Sequence, residues 1–327
     1  MRTAGKSCGS TEGESKQLKN WSLCVAAAIV LIATAAPAGA APASSTTSWG
    51  TSYVDVDNDG VRDSGEPALS SVITPNLGFY SWQSGPNWTA KTGPVGLVLE
   101  GPITLNTAEW LNFGVRGDIT LKGSLIAKKP DTNVRFLTIG TDNDITLAPY
   151  SVIKGNGDVN FQSVTNTNEP AGVLRVGEGS LLEAKGEFQG IELRADTVNV
   201  ASGVKFAVKG GGYNDVWIRS NELNVAEGVV FTGSSHGGIH IVVRGDLTLS
   251  KVIMKAGYIF ITAWADQSEG DPPRRLEILN SMLTQTYRNG HLELEAYPGA
   301  NGQFASNALD LTGTTYSAKG VLWIWPE

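Results

Sequence analysis

The segments Asp196-Thr-Val-Asn-Val200, Glu222-Leu-Asn-Val225 and Asp246-Leu-Thr-Leu249 open three successive copies of one sequence pattern, and their first residues lie 26 and then 24 residues apart. Two further short apolar runs follow in each copy, separated by Gly, Asn, Ser or Asp. Apolar and polar residues alternate within the runs, which indicates short β-strands and not helices. A repeat of this length with three strands per copy predicts a stacked, solenoid architecture.

The same pattern extends from Gly117 to Ile324 and can be counted eight times. One coil of three short strands cannot bury its own apolar face, but stacked coils can, with parallel strands about 4.8 Å apart. We therefore predict an all-β fold, a parallel β-helix of about eight coils over residues 96–327. An N-terminal cap would cover the first coil, whose apolar side chains and strand edges are otherwise exposed.

The first forty residues have a different composition. Basic residues between Arg2 and Lys19 precede an apolar run, Cys24 to Ala35, and then small residues around Ala40. This order predicts a secretory signal peptide over residues 1–40. The alternatives are a membrane anchor, for which the run falls short of the roughly 20 apolar residues needed, and a lipoprotein modified at Cys24. After cleavage we expect a bacterial protein that is secreted or on the cell surface, without a membrane segment.

The net charge of the chain indicates whether nucleic acid is among its expected partners. The chain of 327 residues has a formal net charge of −7, and only 17% of its residues are charged. No basic stripe is visible that could displace counterions from phosphates, so we expect no nucleic-acid partner.

An acidic segment near the N-terminus has the spacing of an EF-hand-type calcium loop. Side-chain oxygens occupy loop positions 1, 3, 5, 9 and 12, a glycine occupies position 6, and position 7 would offer its backbone carbonyl. So many close carboxylates would repel one another without a cation, although a solvated acidic turn is the alternative. The predicted calcium ligands are Asp55, Asp57, Asp59, Val61, Asp63 and Glu66.

The rest of residues 41–95 is predicted to be a linker and the cap. Residues 73–95 contain several aromatic side chains among Gly and Pro turns. They would either cover the first coil or form a sugar-binding patch.

Two resemblances accompany these patterns. The phrase Gly117-Asp-Ile-Thr-Leu121 and its later copies resemble the repeats of filamentous-haemagglutinin-type exoproteins. This resemblance implies a right-handed parallel β-helix with a role in adhesion or envelope structure, although no Asn-Pro-Asn-Gly-type secretion segment is present. Residues 54–72 resemble the calcium loops of B-type repeats in bacterial surface adhesins, which implies a structural calcium ion.

Alignment of the third strand of each coil produces one outward column that mixes aromatic and acidic side chains. Aromatic faces stack on pyranose rings and carboxylates accept sugar hydroxyls, so a glycan or cell-envelope component could lie along it. The alternative is that a neighbouring segment covers this face. The column contains Glu192, Trp217, His240, Phe260, Glu293 and Trp323.

An enzyme is the alternative function class. A polysaccharide lyase would need a basic residue to remove a proton, and a glycosidase would need two carboxyl groups. Arginines recur near the end of the third strand of a coil, at Arg175, Arg194, Arg219 and Arg244, and an acid often follows within three positions. The favoured interpretation is a ladder of Arg–Asp pairs along one edge.

The aromatic last strand, from Val321, would allow end-to-end self-association of the protein if no other segment covered it.

Overall fold

The computed structural model describes residues 48–69, 95–106, 110–165, 167–186, 190–210, 212 and 214–326. The predicted signal peptide and most of the predicted cap lie outside these residues. Within them, the structure is all-β, with a single short 3-10 turn at Gln267–Glu269. No helix in this part of the chain has the length and apolarity needed to cross a bilayer.

The strands, numbered in chain order, are β1 (Tyr53–Asp55), β2 (Gly96–Leu105), β3 (Trp110–Val115), β4 (Ile119–Ala127), β5 (Asn133–Ile139), β6 (Ile145–Leu147), β7 (Val152–Lys154), β8 (Val159–Val164), β9 (Val173–Val176), β10 (Leu181–Lys185), β11 (Ile191–Arg194), β12 (Thr197–Val200), β13 (Lys205–Lys209), β14 (Val216–Ser220), β15 (Glu222–Val225), β16 (Val230–Thr232), β17 (Gly238–Val243), β18 (Leu247–Ser250), β19 (Ile253–Ala256), β20 (Tyr258–Ala263), β21 (Leu276–Leu279), β22 (Met282–Gln285), β23 (His291–Ala296), β24 (Leu309–Asp310), β25 (Thr315–Ala318) and β26 (Val321–Trp325).

Successive coils stack in parallel, as predicted, and form a β-solenoid with three faces. Face 1 runs from the first half of β2 to β24, and face 2 runs from the second half of β2 to β25. Face 3 is a separate sheet of nine described strands, from β3 to β26. Eight of these follow Gly117, as the repeat count predicts, and β3 adds one rung before them.

Strand β2 contributes to two faces of the solenoid. Its apolar runs at Leu97 and Ile103 belong to one strand of ten residues that passes from face 1 to face 2. Gly101, with φ of 86°, lies between them and allows the change of direction.

The core lies inside the solenoid and consists of inward columns. Strand residues alternate between buried and half-exposed, because successive side chains point to opposite sides of a strand. On face 3 the rings of Phe113 and Phe136 stack with centroids 5.2 Å apart, and those of Phe136 and Phe161 at 4.8 Å. Register-matched aromatic residues therefore form a continuous stack through neighbouring coils.

Polar side chains at the turns also form ladders. Asp118 Oδ1 accepts a hydrogen bond from the amide of Asp144 at 2.8 Å, and Asp144 Oδ1 accepts one from the amide of Val173 at 2.7 Å. At another corner, Asn133 Oδ1 accepts from the amide of Asp158 at 2.7 Å. The Asp and Asn residues of the repeat thus satisfy backbone donors that the turns leave without a strand partner.

The N-terminal segment runs against the direction of the solenoid. Strand β1 pairs antiparallel with β2, placing Tyr53 opposite Val98 and Asp55 opposite Gly96. The amide of Leu69 also donates to the carbonyl of Ser52 at 2.8 Å. The outer edge of β2 is therefore partly covered by residues 48–55.

Candidate functional site

The predicted calcium loop, residues 55–66, directly follows β1 and is called the acid loop below. Asp55 is the last residue of β1 and is only 3% exposed. Its Oδ1 accepts a hydrogen bond from the amide of Asp59 at 3.1 Å, and its Oδ2 accepts one from the amide of Gly60 at 2.8 Å. These bonds curl the chain back over the Asp55 carboxylate, and Gly60 accommodates the turn with φ of 76°.

The second half of the acid loop is closed by Glu66. One carboxylate oxygen of Glu66 accepts from the amide of Val56 at 2.6 Å, and the other accepts from the amide of Asp63 at 3.0 Å. The two ends of the loop are thereby held together. Each of these oxygens retains a lone pair, since a carboxylate offers about four acceptor positions.

Three of the predicted ligands come together. One carboxylate oxygen from each of Asp55, Asp57 and Asp59 lies within 4.8 Å of the other two, so this group could hold a metal ion. Asp63 and Glu66 are not members of that group. Burial raises the pKa of Asp55, the charge of Glu66 adds to the effect, and the amides of Gly60 and Asp59 oppose it. A bound cation would relieve the repulsion within the group.

The acid loop is attached to the solenoid by Asn58, which the sequence analysis did not single out. Asn58 Oδ1 accepts a hydrogen bond from the amide of Asp118 at 2.7 Å. A Cβ atom on Gly96 or on Gly117 would lie 2.5 Å from this oxygen, so both positions need glycine for the contact. The sequence signal was weak, because Asn58 lies between two carboxylates that dominate the motif.

On face 3 the outward column has the register predicted from the repeat. Each member is the direct register partner of the next, in the order Glu192, Trp217, His240, Phe260, Glu293 and Trp323. Trp217 is 38% exposed and Trp323 is 54% exposed, whereas the other four are half-buried. The column is therefore accessible at these two tryptophans and partly covered elsewhere.

The middle of the column is held rigidly. The rings of Trp217 and His240 are nearly parallel, with centroids 4.2 Å apart. Trp217 Nε1 donates to Asp215 Oδ2 at 3.3 Å, and His240 Nε2 lies 3.6 Å from the same oxygen. Burial lowers the pKa of His240, although Asp215 acts in the opposite direction. This arrangement fixes the plane of the exposed indole ring.

Near its C-terminal end, face 3 carries a pair of glutamates on β23. Glu293 lies 3.3 Å from His291 Nε2, and Thr262 Oγ1 donates to Glu295 Oε2 at 3.4 Å. Burial, and then the neighbouring Glu293, raise the pKa of Glu295 to about 7. Burial also raises the pKa of Tyr297, to about 12. Glu293 belongs to the predicted column, whereas Glu295, which was not predicted, lies in the adjacent outward column.

The predicted ladder of Arg–Asp pairs is only partly correct. Arg175 pairs with Asp144, but it lies on β9 in face 1 and so does not line up with the other arginines. Arg244 lies just after β17 and pairs with Asp271 at 2.9 Å. Only Arg194 and Arg219 are register partners. The prediction failed here because the spacing of arginines in sequence does not specify which face each one occupies.

These features define the class of the protein as a parallel β-solenoid with an acidic N-terminal loop and an aromatic outer column. No protein-family model, curated protein or solved structure matches the chain.

Proposed function

We propose that the protein is a secreted or cell-surface β-solenoid with a structural and adhesive role, stabilised by one calcium ion in the acid loop. The observation that supports the calcium site is the closeness of the Asp55, Asp57 and Asp59 carboxylates, in a loop whose ends are held by Glu66. Calcium suits such a site because it accepts many oxygen ligands in flexible geometry, whereas magnesium demands a tighter octahedron.

The proposed role of the ion is to fix the acid loop against the first coil. Asn58 lies within the loop and bonds to the solenoid, and Asp55 ends the strand that pairs with β2. Ordering the loop would therefore order the segment that covers the edge of β2. The proposal of export rests on the sequence pattern of residues 1–40.

Calorimetric titration of chelated protein with calcium tests this proposal. We expect heat from one site, abolished by Asp57→Asn and retained in Asp142→Asn, which changes an exposed carboxylate outside the loop. Titration with magnesium should produce much weaker binding. Absence of calcium heat in the unmodified protein would contradict the proposed site.

A glycan-binding role for face 3 is the second candidate. It is favoured by the exposed indoles of Trp217 and Trp323, which share a column with the carboxylates of Glu192 and Glu293. Aromatic rings supply stacking surfaces for sugar rings, and carboxylates orient the hydroxyl groups.

A glycan array distinguishes this role from a purely structural one. We expect Trp217→Ala and Trp323→Ala each to reduce binding, and Tyr150→Ala to leave it unchanged, because Tyr150 is a 69% exposed aromatic residue on a turn outside face 3. Equal binding by all four proteins would exclude the column as a glycan-binding surface.

A lyase or glycosidase activity is the alternative function. Incubation with uronate polymers, followed by ultraviolet detection of unsaturated products, tests for the lyase.

A further inference from the structure

Two arginines of face 3 lie side by side on neighbouring coils. Arg194 ends β11 and Arg219 lies on β14, and the two are direct register partners. Parallel strands are about 4.8 Å apart, so two positive side chains leave the sheet at adjacent points on its outer side. Arg219 is exposed, whereas Arg194 is 6% exposed.

These two arginines differ from the other arginines that the repeat places near strand ends. Arg175 and Arg244 each pair with carboxylates. Across the part of the chain that the structure describes, no carboxylate oxygen lies within 4.0 Å of the guanidinium group of Arg194 or Arg219. The protein is acidic overall, so two arginines that are direct register partners form a local concentration of positive charge.

The buried member of the pair has only neutral hydrogen-bond acceptors. Arg194 donates to the backbone carbonyl of Asn168, and to Asn168 Oδ1 at 3.4 Å, and its Nε has no partner. Burial, followed by the charge of Arg219, lowers the pKa of Arg194, while Glu192 and Glu169 act in the opposite direction from a longer range. Two like charges at this spacing repel each other, and an anion between them or above them would offset the repulsion.

An aromatic surface lies beside the pair. Trp217 precedes Arg219 by two residues on β14, so both side chains leave the same side of the strand about 6.7 Å apart along it. The Trp217 ring is fixed by Asp215 and by stacking on His240. A sugar ring on the indole could thus present an anionic substituent to Arg219, whose planar guanidinium binds carboxylate and sulfate oxygens in a bidentate manner.

We propose that Arg194, Arg219 and Trp217 form a subsite for an acidic sugar, one carrying a carboxylate or a sulfate group, within a glycan bound along face 3. Arg219 contacts the anionic group directly, and Arg194 adds positive charge from beneath. This subsite rests on the glycan-binding role proposed above and specifies the class of glycan. The net negative charge of the protein opposes general attraction to polyanions, so the recognition is local.

The test is a glycan array on which every acidic glycan is printed beside a neutral counterpart. Uronates are paired with their carboxyl-reduced forms and sulfated glycans with their desulfated forms, so that ring and linkage are kept. We expect at least tenfold stronger binding of the acidic member of a pair. The two kinds of pair distinguish carboxylate recognition from sulfate recognition.

Three variants complete the test. Arg219→Gln should reduce binding of the acidic member to the level of the neutral one, and Trp217→Ala should weaken both members. Arg275→Gln, which removes the same charge at an exposed position just before strand β21 of face 1, should change neither. Equal unfolding midpoints in urea show that Arg219→Gln has kept the fold.

The outcomes separate the two proposals. If acidic and neutral members bind alike, or if Arg219→Gln keeps the preference, the subsite is wrong and the glycan face stands. If no glycan of either kind binds, the glycan face is wrong and the subsite fails with it. Loss of the acidic preference in Arg275→Gln would instead indicate a diffuse charge effect and overturn the subsite.

Discussion

The side-chain oxygen of Asn58 accepts a hydrogen bond from the amide of Asp118 at 2.7 Å. Asp118 makes the same bond to Asp144 on the next coil, and Asp144 makes it to Val173. Asn58 therefore occupies the ladder position one rung before Asp118, although it belongs to a loop and not to a coil. The acid loop therefore extends the ladder of side-chain-to-amide hydrogen bonds by one position on the N-terminal side of the first full coil.

Replacement of Asn58 should destabilise the protein. Asn58→Ala would leave the amide of Asp118 without its acceptor, and we expect the free energy of unfolding to fall by about 1–2 kcal/mol. Asn58→Asp keeps an acceptor oxygen and should cost less. Urea denaturation measures both, with Asn301→Ala as the control, since the exposed Asn301 accepts a hydrogen bond from the amide of Gln303 in its own loop. Equal midpoints for Asn58→Ala and the control would show that the ladder contact is unimportant.

Calcium should raise the free energy of unfolding if it binds the folded acid loop and not the unfolded chain. At a free concentration of 100 times the dissociation constant, the gain in the free energy of unfolding is about 2.7 kcal/mol. Thermal denaturation with increasing calcium should show a rising Tm in the unmodified protein and a flat one in Asp57→Asn. A Tm independent of calcium in both proteins would contradict a structural ion.

The aromatic stack should make Phe136 a sensitive core position. Its ring lies between those of Phe113 and Phe161, and Phe136 has no exposed surface. We expect Phe136→Ala to lower the free energy of unfolding by about 3–5 kcal/mol, from lost burial and the remaining cavity. Phe304→Ala, at a 36% exposed site, should have a much smaller effect. Chemical denaturation compares the two, and similar losses would mean that the core has relaxed around the cavity.

Stability should decrease with rising pH because of Glu295. Its folded pKa is about 7 and its ordinary value is 4.5, so the folded state holds the proton more tightly. The contribution of Glu295 to the free energy of unfolding should therefore be complete below about pH 4.5. It should fall by about 2 kcal/mol, after allowance for solvent screening, as pH rises through about 7. Glu295→Gln should remove this fall.

Unfolding midpoints across this pH range test the assignment to Glu295. The matched control is Glu178→Gln, which changes an exposed glutamate and should keep the pH dependence of the unmodified protein. A curve for Glu295→Gln that overlays the unmodified one would assign the effect to another group.

The sequence predicted the solenoid and the outer column because both depend on local information. Alternation along a strand sets which side chain points inward, and the turn residues set where each strand ends. Once the coils were aligned, Trp217 had to fall beside His240, and the structure places it there.

Other features depend on contacts between distant segments, which the repeat does not encode. The antiparallel pairing of Tyr53 with Val98 involves a strand of only three residues. The bond from Arg194 to Asn168 depends on how a loop folds over the sheet. Arg175 lies on face 1, and the spacing of arginines along the sequence could not show this. Among the predicted metal ligands, spacing alone could not show that Glu66 would bind backbone amides.

The register pairing of each coil with only its two neighbours has an evolutionary consequence. Strand β14, for instance, exchanges ladder bonds with β11 before it and with β17 after it. Duplication or deletion of a gene segment encoding one whole winding would lengthen or shorten the rod by a single step while leaving the remaining interfaces intact. The number of coils could thus change during evolution while the core packing of the remaining coils stays the same.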